Sequence, residues 1–321
     1  LGDTKIFSLA YDDDIVILAK DETALKDMIK VVHSFSKNRG LTINVEKSKV
    51  LVFSKGSRQS RCDWTIGGHT YEEVAHFQYL GVWFQRNGGF SKHHEETVAK
   101  ANKRATQVWS LGERLFPNSY NVRVQMFETL VLPIITYAAE TTGYSKCEEY
   151  EKTHRRYLKW TLGLPTGSRS AVIYCETGAH TVGSRRLMLA AKYENEMESR
   201  ASKMVRAAWK DKKVRQADDV RRKCWESLGW SVEEANRRLG EDGFWRVAWN
   251  RTVEQHKQSM RAVADKVTWY IQPKRDKALY LLAPHFKTVS RFRCGAEAKG
   301  NNTWETDNSC RMCGGETETM Q

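Results

Sequence analysis

The chain has 321 residues, 40% of them hydrophobic, and it carries 52 Lys and Arg against 39 Asp and Glu, a net charge of +13. That apolar content excludes a disordered chain and is enough for roughly two domains of about 100–200 residues each. No run approaches the roughly 18 apolar residues of a membrane span. The Cys number seven, which is odd, and five of them are scattered singly, which excludes a secreted disulfide framework. We therefore expect an intracellular protein, nuclear or cytoplasmic, whose basic excess favours nucleic acid over a membrane as its partner.

Residues 5–19 (KIFSLAYDDDIVILA) form two short apolar runs on either side of an acidic segment. Such runs, bounded by turn residues, predict buried strands, so we expect a hairpin with its turn at residues 11–14. Adjacent carboxylates repel one another unless a cation neutralises them, and Mg²⁺ prefers carboxylate oxygens, water and phosphate. The pattern therefore predicts an exposed carboxylate pair able to hold a divalent metal; a solvated acidic turn is the alternative.

A helix is predicted next, because apolar residues recur at helical spacing over residues 21–38. Asp21 is a suitable N-cap, and Gly40 is suited to end the helix. Residues 41–53 (LTINVEKSKVLVF) return to a strand pattern.

A second pair of strands is predicted at residues 64–66 and 74–84, with Gly67-Gly68 as a tight turn that requires positive φ. From residue 91 onwards the pattern is helical.

Three predicted helical segments follow, at residues 95–116, 121–141 and 147–162, with a break at 117–118. Basic residues lie on two of them, at Lys103, Arg104, Arg155 and Arg156. Such faces suit phosphate binding that weakens as salt rises, and a solvated surface is the alternative.

Beyond a boundary at residues 163–167, the pattern predicts a long basic helix over residues 185–227 and further helix over the Trp-containing residues 228–271. The Gly-rich residues 291–321 favour irregular structure.

Several motifs, taken in order, resemble one family. Leu9 to Leu18 (LAYDDDIVIL) resembles the Tyr-x-Asp-Asp hairpin in the palm of reverse transcriptases, in the form found in LINE-type retrotransposons without long terminal repeats. Residues 40–49 are similar to the next palm motif, and residues 77–82 to the primer-grip hairpin. Residues 95–165 look like the helical thumb and its continuation, and residues 310–313 (CRMC) resemble the C-terminal zinc knuckle of part of this family.

The resemblance implies a catalytic and metal-binding role for Asp13 and Asp14, which would hold Mg²⁺. It assigns to Lys47 the assistance of proton transfer to pyrophosphate, with Lys49 as the alternative lysine. Tyr11 would lie beside the primer end. The implied primer grip is formed by Tyr79, Leu80 and Gly81.

The zinc site implied by Cys310 and Cys313 is incomplete, since a structural zinc site needs four ligands. We expect weak or no zinc binding by this chain, with zinc possible in the full-length parent.

Two departures from the family pattern stand out. Asp12 occupies a position that is small or apolar in the family, and its carboxylate could repel phosphate or misplace a metal. The family's other catalytic Asp and its fingers would lie upstream of Leu1. We therefore expect a piece of a longer protein that does not polymerise DNA alone.

These inferences predict an α/β fold that becomes mainly α. Residues 1–90 would be a partial polymerase palm of antiparallel sheet plus helix, residues 91–165 a thumb-like helical region, residues 166–290 a basic Trp-rich helical region and residues 291–321 a truncated zinc-knuckle-like tail.

The parent function implied is RNA-directed DNA synthesis on an RNA template with a DNA primer or target. A nucleic-acid-binding remnant without catalysis is the alternative. An unrelated helical scaffold with an acidic turn is a third hypothesis, and it predicts no salt-dependent binding of nucleic acid.

Overall fold

The computed structural model of the chain describes residues 6–54, 62–168, 173–174, 177, 179–199, 205–206, 219–238, 246–248, 250–251, 254–255, 258, 286–287 and 291. Over these residues the protein is mixed α/β and divides into two compact units. The first unit comprises residues 1–96 and 196–219, and the second comprises residues 97–195 and 220–321. The predicted zinc ligands Cys310 and Cys313 lie outside the described residues.

The acidic segment forms the predicted hairpin. Strand β1 (Ser8–Tyr11) pairs antiparallel with β2 (Asp14–Ile17) around a two-residue turn. The expectation of buried strands is wrong, because all four residues of β1 are exposed and β2 is only half-buried towards its end. A two-stranded ribbon has no neighbouring strands to cover it, and only its Ile17 end packs against the core of this unit.

Helix α1 (Glu22–Asn38) follows the hairpin and confirms the predicted helix. The Asp21 carboxylate accepts a hydrogen bond from the Ala24 amide at 2.8 Å, which satisfies one of the free donors of the first turn. The helix ends before Gly40, whose φ of +67° suits a glycine at this position. Ile29 is the apolar residue of α1 that is buried in the core of the first unit.

The predicted strand over residues 41–53 is wrong for most of its length, since the strand β3 covers only Lys49–Val50. The reason is the side chain of Asn44, whose oxygen accepts from the Lys47 amide at 3.0 Å, while the Asn44 carbonyl accepts from the Ser48 amide at 3.0 Å. These local bonds form a turn that competes with an extended backbone.

The Gly67-Gly68 turn is confirmed, with φ of +58° and +83° at its two positions. It joins β4 (Thr65–Ile66) to β5 (His69–Thr70), so the predicted pairing of residues 64–66 with residues 74–84 is wrong. A two-residue turn pairs the two strands that flank it directly. The partner of β4 is therefore β5 and not the later strand.

Residues 74–84 contribute instead to a hairpin of their own. Strand β7 (His76–Tyr79) pairs antiparallel with β8 (Val82–Gln85). Just before it, β6 (Glu72–Glu73) pairs in parallel with β3.

The core of the first unit lies between α1 and these short strands. It contains a small group of buried side chains: Ile29, Val50, Trp64, Ile66 and Tyr71.

Helices make up the rest of the described fold, and their bounds are α2 (Ser91–Leu115), α3 (Tyr120–Leu130), α4 (Leu132–Thr136), α5 (Ala139–Thr142), α6 (Glu148–Leu162), α7 (Val182–Ser199), α8 (Asp219–Ser227) and α9 (Val232–Arg238). The predicted helices at residues 95–116 and 147–162 are confirmed by α2 and α6. Residues 121–141 divide into three helices, the second of which has Pro133 in its first turn, where a missing amide donor is tolerated.

Within the predicted basic helix of residues 185–227, the structure describes α7 and α8; most of residues 200–218 lie outside the described part. In the described part of the chain, no helix combines the length and apolarity needed to cross a bilayer.

The second unit buries several charged groups among its helices. The carboxylate of Glu194 accepts from Nε and Nη2 of Arg221 at 2.8–3.1 Å and from the Tyr144 hydroxyl at 2.7 Å. The guanidinium of Arg186 lies over the Tyr150 ring and donates to the Ile135 carbonyl at 2.6 Å. These pairs join α7 to the earlier helices and to α8.

Candidate catalytic hairpin and nucleic-acid interface

The hairpin places Tyr11 and Asp14 on the same face. Side chains alternate along a strand, and the register pairs Tyr11 with Asp14 and Ser8 with Ile17. Since Ile17 packs into the core, Tyr11 and Asp14 lie on the opposite, outward face. Asp13 occupies the turn directly before Asp14, so both carboxylates lie at the exposed tip of the ribbon.

Asp12 holds the turn in an unusual conformation. Its φ is +53°, in the left-handed region that most side chains avoid and that Asp and Asn tolerate better. The turn therefore places a conformational requirement on the residue at position 12, apart from any effect of the Asp12 charge on a metal.

The hairpin is held at its base, the end opposite the turn. The Leu18 amide donates to the Phe7 carbonyl at 2.8 Å, which extends the ribbon by one bond beyond its strands. Ile17 packs with Leu25 against the core of the first unit. The hairpin thus presents Asp13 and Asp14 to solvent on a backbone fixed at its base.

The two carboxylates suit a divalent cation, because hard cations prefer carboxylate oxygens. Among the described residues, no group of three or more His, Cys, Asp or Glu is arranged to hold a metal ion. Asp13 and Asp14 could therefore supply part of a ligand set, with further ligands coming from phosphate, water or another carboxylate.

The two candidate lysines differ in their surroundings. Lys47 is exposed in the turn that Asn44 closes, and its amide takes part in that turn. Lys49 lies on β3, and its ammonium pairs with Glu72 at 2.7 Å. Of the two, Lys47 is the one whose ammonium has no carboxylate partner within the described residues.

The predicted primer-grip residues lie in the second hairpin. Tyr79 ends β7, and the turn to β8 consists of Leu80 and Gly81, with φ of +46° and +78°. Positive φ at both positions is typical of the turn that fits the twist of a hairpin, and Leu is an unfavourable residue there. The Leu80 side chain remains 40% exposed.

The predicted basic residues are brought together in pairs on α2 and α6. Lys103 and Arg104 are exposed on α2, and Arg155 and Arg156 are half-buried on α6. Arg156 donates to the Asn102 side-chain oxygen at 2.6 Å, which connects the two helices. Arg155 forms an ion pair with Glu148 at 2.5 Å.

The sequence interpretation missed the residues that fix Arg156. Asn102 accepts its hydrogen bond, and the ring of Trp160 lies under its guanidinium at 5.1 Å. The i,i+4 spacing of Arg156 and Trp160 on a predicted helix was the available signal. No local pattern pointed to Asn102, which lies 54 positions away.

Comparison with known proteins places the hairpins in a family. Residues 2–84 match the family described as Reverse transcriptase (RNA-dependent DNA polymerase). The chain is 23% identical over 217 residues to the RNA-directed DNA polymerase from mobile element jockey of Drosophila funebris, a match that covers 64% of this chain and 23% of that protein.

A second relative is the Retrovirus-related Pol polyprotein from type-1 retrotransposable element R2 of Popillia japonica. It is 25% identical over 176 residues, which cover 51% of this chain and 28% of that protein. The matches thus span about a quarter of the length of these two relatives. No solved structure matches the chain.

The family match gives the class: residues 2–84 are similar to the reverse transcriptase domain. More particularly, the chain is a relative of the RNA-directed DNA polymerases of retrotransposons without long terminal repeats. The expected family is confirmed, and enzymes of this family are metal-dependent.

Proposed function

We propose that the chain carries the catalytic hairpin and nucleic-acid-binding helices of an RNA-directed DNA polymerase, which uses an RNA template and a DNA primer or target. The observation that carries this proposal is the exposed pair Asp13 and Asp14 at the tip of β1–β2, inside the segment that matches the family.

In this proposal Asp13 and Asp14 hold Mg²⁺ together with a carboxylate from elsewhere in the full domain. When bound, Mg²⁺ would activate the primer 3′-hydroxyl and neutralise charge on the transferred phosphate. Tyr11 shares the outward face with Asp14 and is 65% exposed, so its ring is available to contact the primer end. Lys47 carries an exposed ammonium that can donate a proton to the leaving pyrophosphate.

The primer grip is proposed at the β7–β8 turn. Tyr79 and Leu80 offer an aromatic and an apolar surface to the primer, and Gly81 permits close approach of the backbone. In the same scheme residues 1–90 are part of the palm, and residues 91–165 form a thumb-like region. The zinc-knuckle role of Cys310 and Cys313 would require further ligands in the parent.

Apolar side chains on the first unit support its place in a larger catalytic domain. Phe7 and Ile15 of the hairpin segment are 58% and 59% exposed, and Val31 and Phe35 of α1 are 67% and 54% exposed. A contiguous exposed apolar patch marks a contact surface. We propose that other parts of the polymerase domain cover it.

Primer extension tests the proposal. The chain alone, and the chain extended upstream of Leu1 by the sequence of its source element, are given an RNA template, a labelled DNA primer, nucleotides and Mg²⁺. We expect template-dependent extension by the longer polypeptide and none by the chain alone. A longer polypeptide that binds the primer–template but never extends it would contradict the proposal and favour the non-catalytic remnant.

A further inference from the structure

A nearly buried ion pair lies at the base of the β7–β8 hairpin. Glu73 ends β6 just before the hairpin, and Arg86 directly follows β8. Nη2 of Arg86 donates to Oε1 of Glu73 at 2.5 Å, and the side chains of Arg86 and Glu73 are only 14% and 10% exposed. The second carboxylate oxygen, Oε2, accepts from the indole Nε1 of Trp64 at 3.0 Å. Each oxygen of Glu73 therefore has its own donor, and the two bonds together fix the orientation of the carboxylate.

Trp64 connects this ion pair to the apolar core of the first unit. It is 4% exposed and belongs to that core together with Ile29 and Val50. The ammonium of Lys26 on α1 lies 5.7 Å from the centre of the Trp64 ring. Ile17, at the base of the β1–β2 hairpin, packs against the same core. The bases of the two hairpins are therefore joined to one core.

Backbone hydrogen bonds also meet at Arg86. Its amide donates to the Ala75 carbonyl at 3.0 Å, and its carbonyl accepts from the Ser54 amide at 2.9 Å. The neighbouring Gln85 uses its side-chain oxygen to accept from the Lys92 amide at 2.5 Å, at the start of α2. The base of the hairpin is thus attached on two sides, to the core through Arg86 and to α2 through Gln85.

A small change of orientation at this base is amplified at the turn of the hairpin. The turn lies about five residues from the base, or roughly 16 Å at about 3.3 Å per residue, so a tilt of about 10° would move it by about 3 Å. A misplacement of about 1 Å in a reacting group can already cost about 10²-fold in rate. The buried core described for the first unit contains no residue of β7 or β8, so contacts at the base have to set this angle.

We propose that Glu73 and Arg86 are positioning residues for nucleotide transfer, which set the orientation of the β7–β8 turn relative to the tip of β1–β2. The proposal rests on the proposed function, in which the turn holds the primer and the tip holds the metal. A buried ion pair is weak evidence for stability, because apolar residues of similar volume often replace it without loss. They do not replace the direction of its hydrogen bonds, which a planar guanidinium and a carboxylate define.

The first test compares two neighbouring carboxylates of β6 by the single-turnover rate of one nucleotide addition, in the upstream-extended polypeptide. Glu73→Gln should lower this rate by about 10²-fold. Its affinity for the primer–template should stay within about twofold, because the contacts to phosphate are unaltered. Glu72→Gln is the matched control, since its carboxylate is 66% exposed, and should keep the parent rate. Equal losses in the two variants would overturn the proposal.

A double variant separates orientation from stability. Glu73→Leu combined with Arg86→Met leaves no buried charge and fills a similar volume, so its melting temperature should stay close to that of the parent. Its rate of nucleotide addition should nevertheless remain about 10²-fold low, because the directional bonds are gone. If Glu73→Gln proves unfolded by its melting curve, the double variant decides. A rate that recovers together with the melting temperature would show a merely structural role and overturn the proposal.

A third measurement needs no catalysis. Nitroxide labels are attached to p-acetylphenylalanine placed at Lys30 on α1 and at Gln78 on β7, both exposed, in the 321-residue chain. Pulsed electron paramagnetic resonance should give one narrow distance distribution for the parent and a broader or shifted one for the double variant. Identical distributions would overturn the proposal. An upstream-extended parent that never extends the primer would contradict the polymerase account alone, and these distances would still decide whether the pair orients the hairpin.

Discussion

Asp12 shows how a single residue can be constrained by the backbone as well as by the chemistry beside it. Its φ of +53° requires a residue that tolerates the left-handed region, and a β-branched residue would cost about 1–2 kcal/mol there. The same carboxylate lies next to Asp13 and Asp14, where it adds negative charge close to the proposed phosphate path.

Asp12→Asn should separate these two effects. Asn tolerates the same backbone conformation, so the free energy of unfolding should stay within about 0.5 kcal/mol of the parent value. Removal of one negative charge should raise the rate of primer extension by the upstream-extended polypeptide. Asp12→Val is the control for the turn and should lower the free energy of unfolding. A lower rate of primer extension in Asp12→Asn would show instead that the Asp12 charge assists the reaction.

His154 provides a prediction about pH. It is buried on α6, its ring stacks on Phe127 at 5.0 Å, and Nδ1 has no hydrogen-bond partner among the described residues. Burial lowers the pKa of His154 to about 3, with a smaller effect from the charges of Arg185 and Arg155.

Because the folded pKa lies below the unfolded value of about 6.5, the unfolded chain takes up the proton first as pH falls. The contribution of the neutral imidazole to the free energy of unfolding is therefore fully present above pH 6.5. Below that pH the free energy of unfolding decreases by up to about 1.4 kcal/mol per pH unit. Urea unfolding at pH 7, 6 and 5 measures this slope.

His154→Phe keeps an aromatic ring beside Phe127. Its free energy of unfolding should not show the pH dependence of the parent chain. His76→Gln changes an exposed histidine and should leave it intact. An unchanged pH dependence in His154→Phe would show that the buried imidazole is not the responsible group.

Among the elements, those set by neighbouring residues were predictable from the sequence. Asp21 caps α1 through the Ala24 amide, and the Gly67-Gly68 turn forms where positive φ was expected. The extended pattern of residues 41–53 misled because Asn44 closes a turn with its own side chain, and apolar alternation does not report such bonds. The predicted burial of β1 was also wrong, because burial of a two-stranded sheet depends on which other elements cover it.

The end of α5 makes a close contact that the sequence did not reveal. A Cβ built on Gly143 would lie 2.3 Å from the Arg186 carbonyl oxygen on α7 and 2.4 Å from the Ala139 carbonyl oxygen. Both neighbours are backbone atoms, so they cannot move aside as a flexible side chain would.

Gly143→Ala should therefore destabilise the second unit by about 1–3 kcal/mol, the usual range for overpacking. Gly167→Ala is the matched control, because a Cβ there would meet no atom within 4 Å. Thermal unfolding followed by circular dichroism compares the two. Equal melting temperatures for both variants would show that α5 and α7 are less closely packed than described.

For the whole molecule, the class of protein followed from motifs in order along the chain, and the match over residues 2–84 confirms it. The mixed α/β start and the mainly helical continuation were predictable for the same reason. The contact between α2 and α6 was not, because Asn102 and Arg156 are far apart in sequence and only the fold brings them into contact. The candidate roles of Lys47 and of the primer-grip residues stay predictions.

The central claim is that Asp13 at the hairpin tip serves metal-dependent nucleotide transfer. The most direct measurement is the single-turnover rate of one nucleotide addition by the upstream-extended polypeptide, with Asp13→Asn compared against Asp27→Asn, an exposed carboxylate of α1. We expect Asp13→Asn to lose at least about 10²–10³-fold in rate at unchanged nucleic-acid affinity, and Asp27→Asn to match the parent. Equal rates for the two variants would contradict the account.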